Sequence, residues 1–153
     1  MKITDFLGAQ TVIPALAQRE KNAVLEELAG WLAANHSQLD AKQVLSVLVE
    51  RERISTTAIG EGVAIPHGKL PGLERIFGLF ARSTEGVDFN SLDGAPTHLF
   101  FVLIAPEGAA ADHLKALARI SRLLKDESFR RRLMAAKSGP ELFTLIAEED
   151  DKF

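Results

Sequence analysis

Seven consecutive residues, Leu99-Phe100-Phe101-Val102-Leu103-Ile104-Ala105, carry no polar side chain and are bounded by Pro96 and Pro106. The run is too short for a helix of more than two turns and is dominated by aromatic and branched residues, which suits a strand. A strand exposed on one face alternates apolar with polar residues. One buried on both faces reads as an unbroken apolar run. This run therefore demands covering layers on both sides, and the rest of the chain supplies them.

Val24, Leu25, Leu28, Trp31 and Leu32 recur at helical spacing from about Arg19, until Asn35-His36-Ser37 interrupts the pattern. Asp40-Ala41-Lys42-Gln43 has the form of a capping box, and Val44, Leu45 and Leu48 continue a second helix to about Arg53. Leu70-Pro71-Gly72 is turn chemistry, 75–82 reads as a buried strand, and Val87 with Phe89 reads as a minor strand piece before the turn 93–96. After a loop over 106–111, Asp112 is expected to cap a third helix through Leu114, Leu117, Ile120 and Leu124. Phe129, Leu133 and Met134 mark a fourth helix, with Arg130-Arg131-Arg132 as a solvated face. Gly139-Pro140 opens a fifth, proline suiting a first helical turn, and Glu148-Glu149-Asp150-Asp151 reads as a frayed acidic tail. Strands interleaved with helices predict an α/β fold: one domain over 1–153, a mixed sheet with helices on both faces.

Several functions are excluded by composition. The 153 residues carry a formal net charge of −3, which argues against a nucleic-acid partner. No cysteine is present, so thiol nucleophiles, disulfides and thiolate metal sites are ruled out. The first residues lack the apolar core of a signal peptide, and no run approaches the ~20 apolar residues of a membrane span. A cytoplasmic protein without membrane insertion is expected.

The polar chemistry concentrates in 51–69. His67 lies between Pro66 and Gly68, directly after Val63-Ala64-Ile65, and is the expected chemical centre. Gly60, Gly62 and Gly68 would let backbone amides approach a ligand, Thr56 and Thr57 offer hydroxyls, and Arg51, Arg53 and Lys69 offer charge. Amides, hydroxyls and guanidinium groups together suit a phosphoryl group. The alternative is a glycine-rich turn at a strand end with no ligand. His113 falls near the apolar stripe of the third helix and in its first turn, where the macrodipole favours an anion. That helix starts beyond the carboxyl end of the central strand, where open α/β sheets bind ligands. If His67 ends a neighbouring strand at the same edge, the two imidazoles meet across one cleft. His36 and His98 carry no assigned role, and His98, opening the central strand, is expected to face solvent. No compact His/Asp/Glu spacing supplies a third metal ligand, and neither a phosphate-binding P-loop nor a dinucleotide loop is present.

Glu52, Ile59-Gly60 and Val63-Ala64-Ile65-Pro66-His67-Gly68, followed by Leu92-Asp93-Gly94, Pro106, His113-Leu114 and Ile120-Ser121-Arg122-Leu123-Leu124, resemble the type-2 enzyme IIA domain of the bacterial phosphotransferase system across essentially the whole chain. One departure is Ala58, where the nitrogen-related branch often has glycine. The resemblance implies a phosphohistidine relay: His67 accepts a phosphoryl group from an HPr-type phosphocarrier, and His113 and Arg51 stabilise it. Thr56, Thr57 and Gly68 are further candidates to bind the phosphoryl oxygens. Because the leaving group is another histidine, no metal or cofactor is expected. The resemblance is greatest to the stand-alone nitrogen-regulatory member, which signals to downstream target proteins through its phosphorylation state. That branch is also suggested by the absence of a linker after the last helix. A sugar-specific IIA passing phosphate to a IIB domain is the alternative, and an interaction module without phosphotransfer is a second.

Overall fold

The structure, a computed structural model, describes residues 1–152; Phe153, the last residue of the expected domain, lies outside the described residues. The apolar run at 99–105 forms the core of β6 (Thr97–Pro106), the central strand of a mixed sheet. Its neighbour on one side is β5 (Phe77–Val87), antiparallel, which in turn carries the short β1 (Val12–Ile13). On the other side the partner strand is split: β3 (Val63–Ala64) pairs with Leu99 and Phe100, and β4 (His67–Leu70) pairs with 103–106, both parallel to β6. The break is Ile65-Pro66, where proline cannot donate to the ladder, although its carbonyl still accepts from the Leu103 amide. Among the described residues a short β2 (Ala58–Gly60) pairs only with β3, so β4 forms an open edge.

Alternation along β6 sends Phe101, Leu103 and Ala105 to one face and Phe100, Val102 and Ile104 to the other. The first set packs under α3 (Ala110–Lys125), α4 (Glu127–Ala135) and α5 (Gly139–Asp150). The second packs under α1 (Lys21–Asn35) and α2 (Ala41–Ile54). The expected α/β architecture with helices on both faces is what the chain adopts.

Several local expectations are corrected. Val87 belongs to the same long strand as Phe77, so 77–87 is one element with an irregular register between Arg82 and Val87. Asp112 lies inside the first turn of α3, whose N-cap is Ala109 without a side-chain hydrogen bond. The acidic tail is not frayed. Asp150 is 1% exposed, accepts from the Ile3 amide at 2.7 Å and pairs with Arg119, while Glu149 pairs with Arg132 and Lys152. These contacts tie the end of α5 to the start of the chain. Arg130 is likewise not solvated: it donates to the Leu124 and Lys125 carbonyls that end α3 and pairs with Glu61. His98 is half-buried, its Nδ1 2.9 Å from the Ser83 carbonyl, rather than turned to solvent.

Candidate functional site

His67 opens β4 rather than ending a strand, because Pro66 interrupts the pairing just before it. Its register partner Leu103 points to the α3 side of the sheet, so the imidazole faces α3 across the open edge. Gly68 is opposite Ile104 and faces α2. A Cβ there would lie 2.9 Å from Val47 Cγ2, so glycine is what lets α2 approach β4 this closely. Gly68→Ala is therefore expected to cost about 1–3 kcal/mol in denaturant unfolding, and to displace the helix that carries Arg51.

α2 and α3 thus converge on the β4 edge and enclose a cleft of about 660 Å³. His67, Gly68 and Lys69 form its floor, Arg51 and Ile54 one wall, and His113, Leu114 and Leu117 the other. The two imidazole rings stand edge to face with centroids 5.4 Å apart. Arg51 sits in the last turn of α2, where the helix dipole favours a cation, and its Nη1 donates to the Ser55 carbonyl at 2.9 Å.

The hydrogen bonds fix the tautomer of His67. Arg51 Nε has only a proton to offer and lies 3.3 Å from His67 Nε2, so Nε2 is the acceptor nitrogen. Nδ1 then carries the proton and donates to the Ile65 carbonyl at 2.8 Å. The Nε2 lone pair lies on the cleft side of the ring, beside Arg51 Nε. Desolvation lowers the His67 pKa, the Ile65 carbonyl opposes that, and the Arg51 and Lys69 charges lower it further while Glu52 raises it. At neutral pH the ring is an uncharged base.

His113 is 5% exposed and its Nε2 is buried without a hydrogen-bond partner. An unmet buried polar atom costs about 1–3 kcal/mol. Burial, with the charges of His67 and Lys69, lowers the His113 pKa to about 4. The ring is neutral near pH 7 and can still donate one N–H.

The other residues expected to hold phosphate are placed differently. The Thr56 hydroxyl donates to the Phe89 carbonyl at 2.9 Å, and the Thr57 hydroxyl donates to Glu52. Neither threonine lines the cleft with His67, whereas Gly68 does. Gly60 and Gly62, with φ of 104° and 76° around Glu61 at 59°, make the β2–β3 hairpin turn. Arg53 is on the rim, paired with Glu50 at 2.6 Å. Sequence reasoning missed the apolar collar around the nitrogen: Ile54 is 81% and Leu114 68% exposed. Leu114 breaks the polar face of α3, the one signal that could have revealed it.

A model for the "Phosphoenolpyruvate-dependent sugar phosphotransferase system, EIIA 2" family matches residues 5–149. The chain belongs to this EIIA 2 family. The nitrogen regulatory protein of Bradyrhizobium diazoefficiens is 50% identical to the EIIA 2 chain described here over 147 residues, 96% of this chain and 95% of that one. The fructose-specific EIIABC component of Bacillus subtilis is 39% identical over 98% of this chain but only 24% of its own length. Among solved structures, the nitrogen regulatory protein IIA-Ntr of Neisseria meningitidis superimposes with a TM-score of 0.88 at 32% identity, covering 94% of this chain and 98% of that one. The chain is thus a phosphotransferase-system IIA protein of the kind seen in nitrogen regulatory proteins. No helix among the described residues is long and apolar enough to cross a membrane.

Proposed function

We propose that this EIIA 2 protein accepts a phosphoryl group on His67 Nε2 from a histidine-phosphorylated carrier protein and signals through the resulting state. The observation that carries the reading is the pair of hydrogen bonds at His67, Nδ1–H to Ile65 and Arg51 to Nε2, which present a neutral nucleophilic nitrogen to a cationic cleft. The Nε2 lone pair forms the new N–P bond as the donor's N–P bond breaks, its electron pair returning to the donor ring. His67 keeps its Nδ1 proton throughout, so no base is needed. The phosphorylated ring is cationic, balanced by the phosphoryl oxygens, and the donor ring becomes neutral. Phosphoryl transfer of this type is governed by positioning and by charge stabilisation.

Arg51 Nε lies beside Nε2 and would move onto the phosphoryl oxygens once phosphorus occupies that space. His113, with its unmet Nε2, supplies a second donor from the opposite wall. Lys69 adds positive charge, and Ile54 and Leu114 form an exposed apolar rim suited to a small carrier protein. The 50% identity to a nitrogen regulatory protein favours the regulatory branch. The 39% identity to a fructose-specific component favours the second reading, a sugar-specific IIA that passes the group to a IIB domain.

Incubation with phosphoenolpyruvate and the general phosphotransferase proteins should give an acid-labile adduct on the wild type and none on His67→Ala. Faster labelling by the nitrogen-branch carrier than by ordinary HPr supports the regulatory reading, and the reverse order supports the sugar-specific one. A label retained by His67→Ala would overturn both.

A further inference from the structure

Lys21 occupies the first position of α1, where the positive end of the helix dipole disfavours a cation. Its side chain is nonetheless mostly buried, 4.6 Å above the Phe89 ring, and its ammonium lies 3.1 Å from Glu52 Oε1. Glu52 is the residue after Arg51, yet it turns away from the cleft, with 6% of its side chain exposed. A buried ion pair is weak evidence of stabilisation, because desolvation offsets much of the attraction. What Glu52 holds is more informative. Its carboxylate accepts both the amide of Thr57, at 3.1 Å, and the Thr57 hydroxyl.

From Thr57 the hydrogen bonds run in one direction towards His67. The Thr57 carbonyl accepts from the Ile65 amide at 3.1 Å, and the Ile65 carbonyl accepts from His67 Nδ1 at 2.8 Å. Two residues, Thr57 and Ile65, therefore link a buried carboxylate to the carbonyl that holds the proton-bearing nitrogen of His67. The links are positional: the carboxylate fixes Thr57, the Thr57 carbonyl fixes the Ile65 backbone, and the Ile65 carbonyl is thereby held where an Nδ1–H can meet it. The same loop provides the Ser55 carbonyl that tethers Arg51. One carboxylate thus organises both the ring and the guanidinium beside it.

We infer that Glu52, held by Lys21 and Thr57, is a positioning residue that keeps His67 in its Nδ1–H tautomer by fixing, through Thr57, the backbone that presents the Ile65 carbonyl. The inference rests on the proposed role of His67 as phosphoryl acceptor, because only the Nδ1–H tautomer leaves Nε2 free to attack. It also gives a reason for the carboxylate at position 52: a phosphohistidine carrying its group on Nε2 has a cationic ring whose remaining proton bonds Ile65, and Glu52 stabilises that charge from a distance.

Glu52→Gln is nearly isosteric and keeps an oxygen for the Thr57 amide while removing the charge. Long-range proton–nitrogen correlation spectra of the 15N-labelled protein, recorded without any phosphoryl donor, report the tautomer directly. The expected result is a gain of the Nε2–H tautomer at His67 and a downward shift of its titration midpoint. The other charged and titratable groups facing that ring, Arg51 from α2, Lys69 on β4 and His113 from α3, are unchanged in the variant. A merely structural role predicts the opposite sign, since a loosened loop would expose His67 and let its midpoint rise towards 6.5. Labelling by phosphocarrier should slow by about tenfold, the low end of the range seen when an orienting partner behind a metal-bound histidine is removed. Thr57→Val, which loses only the hydroxyl bond, should move the tautomer the same way by less and carries the test if Glu52→Gln does not fold. A wild-type tautomer in both variants, or a midpoint that rises, overturns the inference. Failure of the underlying reading is distinguishable, because wild-type protein would then show the Nδ1–H tautomer yet take no label.

Discussion

His113→Ala is expected to slow phosphoryl transfer to His67 by about a hundredfold, the cost of one preorganised donor to developing charge. The variant should still accept the label, because the nucleophile and Arg51 remain. Quench-flow labelling with phosphocarrier measures the rate, and an unchanged rate would remove His113 from the reaction. Folding supplies an independent readout. The ring titrates at about 4 in the folded chain against 6.5 ordinarily, so between those values the unfolded chain binds more protons. Wild-type stability therefore falls as pH drops from about 6.5 towards 4, with a loss from His113 approaching about 3 kcal/mol at full protonation. His113→Ala lacks that loss, so its denaturation midpoint should depend less on pH in this window. The remaining slope there includes His67, whose pKa is lowered in the same direction. Near pH 7 the alanine loses packing under α3 but also removes an unmet polar atom.

Arg51→Ala is expected to have a larger kinetic effect, on the order of 10²–10³, because it removes a permanent charge adjacent to the reacting nitrogen. Arg51→Lys should recover part of the rate and not all of it. An ammonium can approach the phosphoryl oxygens, but it lacks the planar fork that bonds the Ser55 carbonyl and the site together. The titration of His67 gives the check: without the guanidinium, which lowers it, the His67 midpoint should rise in Arg51→Ala. A rate within twofold of wild type would show that Arg51 only closes the end of α2.

Much of this arrangement was legible before the fold was known. An apolar run between two prolines read as a strand covered on both faces, and 3.6-residue periodicity found the helices on either side. The convergence of His67, His113 and Arg51 could be expected from a basic helix end, a Pro-His-Gly step and a helix start beyond the central strand. What escaped were the features set by contacts distant in sequence. Thr56 and Thr57 looked like phosphate ligands because hydroxyls beside glycines suit that role. Their protons are instead taken by Phe89 and Glu52. The tail looked frayed because four successive acidic residues repel one another, a reasoning blind to Arg119 and to the Ile3 amide. The split between β3 and β4 was hidden for a different reason. Pro66 signals a break locally, but only the shared partner β6 shows that the two fragments follow one line.

The most direct test of the account is the identity of the phosphorylated nitrogen. Protein uniformly labelled with 15N, phosphorylated from phosphoenolpyruvate through the carrier, should show a single phosphohistidine at His67. Its phosphorus should couple to Nε2, with a proton retained on Nδ1. Phosphorus on Nδ1, or on any other histidine, would contradict the tautomer and the cleft geometry on which the account stands.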